Sequence, residues 1–181
     1  MGLLVVSIVL VICVFTVTLV VILKHSKEDV KLEVTAVCEG ENEIGQAIMK
    51  IYFTFSIGKL AQRNKEIIGS IDWSKGWMPV CYNLKENGVY QKQRLLPATN
   101  ETTYTTFEIN ATNVIDHLGR GEGYVVLVLE DSISTDKSRA GVILAVTANM
   151  VTYQLSDSTS WNNDFAVHQK IQKSYSLGGK A

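Results

Sequence analysis

Chemistry requires titratable or nucleophilic side chains gathered in one place, and this chain of 181 residues offers few. Its three histidines are scattered: His25 flanks an apolar run, His117 sits in a glycine-rich corner and His168 lies in the C-terminal portion. No His-x-x-x-His or Cys-x-x-Cys spacing occurs, so neither a metal site nor a cofactor is expected. Asp131, Asp136, Asp157 and Asp164 do not fall at the spacing of a calcium loop. Asp116-His117 is an adjacent acid and imidazole, but in a strand the two would point to opposite faces and in a turn both would be solvated. No catalytic residue is assigned, and an enzyme is not expected. The glycines from Gly119 to Gly123 lack the strand–turn–helix setting of a phosphate loop. A formal net charge of −1, with no basic stripe interleaved with aromatics, gives no reason to expect a nucleic-acid partner.

The remaining distinctive side chains suit structure or contact. Cys38 and Cys81 have two readings. Outside a cell they could close a loop of about 40 residues, which stabilises by roughly 3–4 kcal/mol; inside, they would be free buried thiols. Trp73 and Trp77 flank the turn Ser74-Lys75-Gly76, and with Trp161 they are candidate interface aromatics, or else they close one end of a core. Two sequons, Asn100-Glu101-Thr102 and Asn110-Ala111-Thr112, make Asn100 and Asn110 candidate glycosylation sites.

All of these must be positioned by two very different parts. Gly2 to Leu23 is apolar without an ionisable side chain until Lys24. As a helix it reaches roughly 33 Å, enough to cross a bilayer core of ~30 Å. The run is too long, and its front too uncharged, for a cleaved signal peptide. Residues 1–24 are therefore expected to be a transmembrane or filament-core helix. Ser7 and Thr18 share one side of it, where they could meet a neighbouring helix or bond within their own. Residues 25–30 form a short joint. Lys24, His25, Lys27 and Lys31 argue by the positive-inside rule for a cytoplasmic head, whereas the sequons and the turn-rich β pattern argue for an outer one. An extracellular head on a single-pass anchor is the favoured topology.

Residues 31–155 read as one β domain. Leu32, Val34, Ala36 and Cys38 alternate with Lys31, Glu33, Thr35 and Val37, and Gln46 to Ser56 alternates more clearly, with Ala47, Met49, Ile51, Phe53 and Phe55 on one side and Lys50, Tyr52, Thr54 and Ser56 on the other. Further strands are expected over Glu66–Trp73, Pro79–Leu84, Val89–Leu96, Tyr104–Asn110, Gly123–Leu129 and Ala140–Val151, with the Asn87-Gly88 pair closing a type I′ hairpin. Thr105, Phe107 and Ile109 should face inward. A helical turn is expected at Asn113 to Leu118. Seven or eight short strands punctuated by turns predict an all-β sandwich. Residues 156–181 are polar and are expected to form a separate C-terminal segment, docked on this domain or on a neighbour through Phe165, Val167, Ile171, Tyr175 and Leu177.

Two resemblances extend this reading. Leu118-Gly119-Arg120-Gly121-Glu122-Gly123-Tyr124 is similar to the tyrosine-corner segment of fibronectin type III and immunoglobulin-like domains, which implies that the Tyr124 hydroxyl returns to upstream backbone. Arg120 stands where that family prefers proline. In layout, an apolar N-terminal helix followed by a Thr/Val-rich sandwich with sequons resembles archaeal type IV pilin-like surface proteins, including pilus and archaellum subunits and archaellum accessory proteins. That likeness implies a non-enzymatic homo-oligomer that self-associates through its helix or lodges it in lipid and touches other surface or filament proteins. The alternative is a single-pass eukaryotic or viral glycoprotein whose sandwich binds a ligand or receptor.

Overall fold

The computed structural model describes residues 12–18, 30–57, 65–91, 93–96, 102–130, 136–148 and 151–163. Within the apolar run, residues 12–18 are helical (α1). The Thr18 hydroxyl donates to the Val14 carbonyl at 2.7 Å, the in-helix alternative for that side chain. The other residues of the expected 1–24 helix, Ser7 among them, lie outside the described residues. So do residues 25–29 of the joint. Among the described residues no helix is long and apolar enough to cross a membrane.

The described residues of the head form ten strands: β1 (Val30–Glu41), β2 (Ala47–Ile57), β3 (Lys65–Trp73), β4 (Trp77–Glu86), β5 (Val89–Tyr90), β6 (Arg94–Leu95), β7 (Tyr104–Ile109), β8 (Arg120–Leu129), β9 (Lys137–Ala148) and β10 (Val151–Asn162). A four-residue helix, α2 (Ala111–Val114), connects β7 to β8. One sheet has the order β1-β2-β8-β4-β5, with β6 also on β4; the other has the order β10-β9-β3-β7. Every pairing is antiparallel. The two sheets pack face to face as an immunoglobulin-like β-sandwich.

Alternation sets which residues fill it. On β2, Ala47, Met49, Ile51, Phe53, Phe55 and Ile57 are buried, facing Val142, Leu144 and Val146 of β9 within one core that also takes Val125 and Leu127 of β8. Thr105, Phe107 and Ile109 of β7 are buried as expected. Three glycines make room for the rings. A Cβ on Gly121 would lie 2.4 Å from Phe55 Cζ, one on Gly123 2.7 Å from Phe53 Cζ, and one on Gly69 2.3 Å from Phe107 Cε2. The glycine-rich stretch is thus the first half of β8, three residues earlier than alternation alone indicated. Asn87 (φ 51) and Gly88 (φ 82) make the expected hairpin turn with left-handed backbone.

Other boundaries move too: the helical turn expected at Asn113 to Leu118 is α2 at Ala111–Val114, and Val151 opens β10 instead of ending the preceding strand. The strand expected over Val89–Leu96 is two short pieces, β5 and β6. More important, Ser156 to Asn162 belong to β10 and pair with β9 along their length, so they are part of the sandwich and not of a separate segment. Ser156, Ser158 and Ser160 face solvent while Leu155 and Trp161 turn inward, so the outer face of this part of the strand is all serine and looks like a loop in sequence.

The chain enters at one end of the sandwich, where Val30 pairs with Ile57, and leaves at the other, where Asn163 N–H donates to the Asp136 carbonyl. Twelve strand residues separate these ends by about 40 Å. Along one side β1 and β10 run next to each other, and the Asp157 carboxylate accepts the Val34 N–H at 2.8 Å. This caps an edge strand that would otherwise invite pairing.

Candidate functional site

The outer face of the β1-β2-β8-β4-β5 sheet carries the most distinctive surface chemistry. Register places Lys50 opposite Val126 and Tyr52 opposite Tyr124 between β2 and β8, and Cys81 opposite Val126 and Asn83 opposite Tyr124 between β4 and β8. Cys81 reaches this face because the register slips between Pro79 and Cys81; without that bulge it would share the inner face with Pro79. Tyr90 of β5, opposite Lys85, completes the group.

Tyr124 is the centre. Its ring lies 5.4 Å from that of Tyr52 and 5.3 Å from that of Tyr90, and the Lys50 ammonium sits 5.1 Å from its centroid. Its hydroxyl accepts from Asn83 Nδ2 at 3.2 Å. Tyr124, Val126 and Cys81 form a second buried cluster, with Ile48, Tyr52 and Val80 packed against it. This corrects the tyrosine corner. Tyr124 points away from the sheet-to-sheet corner, and its hydroxyl is engaged by a neighbouring strand. The sequence pattern matched, but Gly119 to Gly123 serve the packing of Phe53 and Phe55.

Electrostatics knit the same face. Lys50 pairs with Glu39 at 3.2 Å and Lys85 with Glu122 at 2.6 Å. Burial alone would lower the Lys50 pKa, yet Glu39 and the phenols of Tyr52 and Tyr124 hold it above its ordinary value. Burial, then the Glu122 carboxylate, push the Tyr90 phenol up to about 12. Burial also raises the Cys81 thiol, against the nearby Lys50 charge. Toward the entry end the face opens into a cleft of about 640 Å³ lined by Lys31, Glu33, Thr54, Ser56, Lys85, Asp116, Arg120 and Glu122 among others. Its three cations and three carboxylates leave it without a net charge.

The residues singled out in the sequence fall in different places. Cys38 and Cys81 are free, Cys38 exposed and Cys81 buried. Their strands are three spacings apart in the sheet, about 14 Å, where a disulfide needs Cα atoms within about 7 Å. The staple is therefore excluded in this fold. Trp73 and Trp77 are core residues at the exit end, so they are not interface aromatics. Trp77 donates through Nε1 to Ser138 Oγ at 3.0 Å, and the partly buried Trp161 meets its ring edge-on at 5.4 Å. Asp116 holds a turn: its Oδ1 accepts the N–H groups of Leu118 (2.8 Å) and Arg120 (2.9 Å). Those bonds keep its carboxyl below the usual range despite some burial.

Asn110 is exposed and caps α2, its side-chain oxygen accepting the Thr112 N–H at 3.1 Å. Asn100, His25 and His168 lie outside the described residues. Sequence reasoning put Lys50 and Tyr52 on the solvent side of β2 but assigned them no role. The missing signal was the cross-strand register that brings Tyr52, Tyr90 and Tyr124 together.

No family model matches the sequence, and no curated protein matches it significantly. Solved structures do share its architecture. The major pilin SpaD from Corynebacterium diphtheriae superposes with a TM-score of 0.53 at 8% identity, over 74% of this chain and 34% of that one. The fold is shared with pilin domains. A 35 kDa C-terminal fragment of the major pilin GBS80 of Streptococcus agalactiae gives 0.51 at 7% identity, over 72% of this chain and 55% of that one. The collagen-binding domain from a Staphylococcus aureus adhesin gives 0.47 at 6% identity, over 75% and 97%. This chain thus spans about a third to half of the two pilin chains.

Proposed function

We propose that the protein is a non-enzymatic surface protein acting through protein–protein contacts, as a subunit or accessory of an extracellular filament of the pilus or archaellum kind. Its N-terminal apolar segment would sit in a bilayer or in a core of its own copies, with the sandwich outside. The observation that carries this reading is the tyrosine face. Tyr52 and Tyr90, partly exposed around the buried Tyr124, give one sheet the aromatic surface that protein interfaces favour. The one acid–imidazole pair has its carboxylate committed to a turn. The exposed Asn110 sequon supports an external, glycosylated head.

Protease added to intact cells tests the placement: cleavage of the head, with added mass on the Asn110 peptide, is the expected result. Tyr90→Glu tests the surface, because Tyr90 is partly exposed and a carboxylate there would face Glu122. Assembly into polymers, or retention beside partner proteins, should fall while the head stays folded. A head shielded from external protease and without added mass overturns the placement. Unchanged assembly of the variant removes the tyrosine face from the argument.

A further inference from the structure

The two sides of the sandwich differ in how their edges end. On one side β1 and β10 shield each other, with Asp157 on the Val34 N–H. On the other, the four-stranded sheet ends at β7, and among the described residues no strand pairs with its outer edge. Trp73 N–H donates to the Thr103 carbonyl, so bonded pairs recur at Ile71–Thr105, Gly69–Phe107 and Ile67–Ile109. The backbone groups of Tyr104, Thr106 and Glu108 therefore point outward along an open edge.

The chain also carries an unplaced strand pattern. After Asn163, odd positions from 165 to 177 read Phe, Val, Gln, Ile, Lys, Tyr, Leu, and even positions read Ala, His, Lys, Gln, Ser, Ser. Five of seven odd positions are large and apolar, and no even position is. That period of two describes a half-buried strand, which needs an edge to pair with.

Its own molecule is poorly placed to supply an antiparallel one. A return hairpin beside β10 meets β1, which already occupies that side. Antiparallel pairing with β7 would bring the stripe to Ile109 near the entry end. Ile109 lies about 36 Å from Asn163, counting ten residues of rise along the strands and three strand spacings across. Ile171, the middle of the stripe, is eight residues on and can reach at most about 28 Å.

We infer that residues 165–177 of one copy add as an antiparallel strand to the open edge of β7 in a second copy. The stripe leaves the first copy at its exit end and runs from entry end to exit end on the second, so the copies follow one another in the same direction. Such a contact is heterologous and does not close on itself, which gives a polar filament. This rests on the filament reading above and names its partner and mode of contact.

A complementation experiment on the full chain tests it. Val167→Asp with Ile171→Asp removes the donor stripe and leaves the sandwich untouched. Thr106→Pro removes an outward N–H from the edge, a position where proline is compatible with a strand. Sedimentation of wild type in mild detergent should show a concentration-dependent ladder. Each variant alone should associate at least about tenfold more weakly, and a mixture of the two, differently tagged, should stop at heterodimers. Heterodimers cannot arise from docking within one chain. A wild type that stays monomeric, protection of residues 165–177 from protease that does not depend on concentration, or a mixture no different from its components would overturn the inference. The filament reading itself is judged separately, by protease access and assembly on intact cells.

Discussion

The two outer faces of this sandwich share a fold and almost nothing else. On the β1-β2-β8-β4-β5 sheet the central outward residues are large: Tyr124 and Val126 are each only 8% exposed although, among the described residues, no further layer covers them. On the other sheet the corresponding central positions, Ile68 and Ile143, are 45% and 38% exposed, set among Ser70, Thr106, Ala145, Ser156 and Ser158. Large side chains on the first face shield one another, ring against ring, whereas small hydroxyl residues on the second cannot. One face therefore contributes to stability as well as to the surface, and the other is a thin polar coat over the core.

Removing the centre of the first face should have the largest effect. Tyr124→Ala deletes the ring that meets Tyr52, Tyr90 and Lys50 and takes away the hydroxyl that Asn83 donates to. A loss of about 2–4 kcal/mol in urea unfolding is expected. Tyr124→Phe keeps the ring and should cost about 1 kcal/mol, because the buried Asn83 amide loses its acceptor. If Tyr124→Ala costs under about 0.5 kcal/mol, the outer cluster is an ordinary solvated surface and the contrast between the faces is lost.

The contrast also explains what the sequence could and could not reveal. The inner faces were legible because Ala47 to Ile57 and Thr105 to Ile109 alternate strictly, and the Asn87-Gly88 turn has only one good use. β10 was not, since serines outside and aspartate and threonine partly inside erase the alternation after Leu155. The tyrosine face was half legible. Tyr52 stood plainly on the polar side of β2, but its meeting with Tyr90 and Tyr124 depends on the register of β2, β8 and β5, which no local pattern encodes. The position of Cys81 depends on a bulge, again invisible in a single strand. The glycine corner misled because close packing of phenylalanine rings on glycine and a tight corner ask for the same residues.

A smaller effect should appear at high pH. The Tyr90 phenol is raised from its ordinary 10.0 to about 12 by burial and by Glu122. The folded state thus holds the proton more tightly than the unfolded chain does. The sign follows: this contribution is fully present below about pH 10 and is lost as pH rises through about 12. Burial raises the Tyr153 phenol as well, so absorbance titration of the phenolate should show a late step that shrinks, without vanishing, in Tyr90→Phe. Stability of that variant should decline less steeply than wild type over the same window. A late step of undiminished amplitude in the variant would mean that Tyr90 does not contribute to it.

The smallest effect belongs to the second face. Ser156 and Ser158 lie exposed on β10, opposite Ile143 and Gly141 of β9. Alanine at either position removes a hydroxyl that water already satisfies and lowers strand propensity slightly, so each change should fall within about 0.5 kcal/mol. The two positions point the same way along one strand, and their effects should add to within a similar margin. A joint loss above about 1.5 kcal/mol would mean that these hydroxyls are covered in the assembled protein, and the thin coat would then be an interface in its own right. Measuring the pair at low and at high protein concentration separates those cases, because a cost that appears only at high concentration comes from contact between copies and not from the fold.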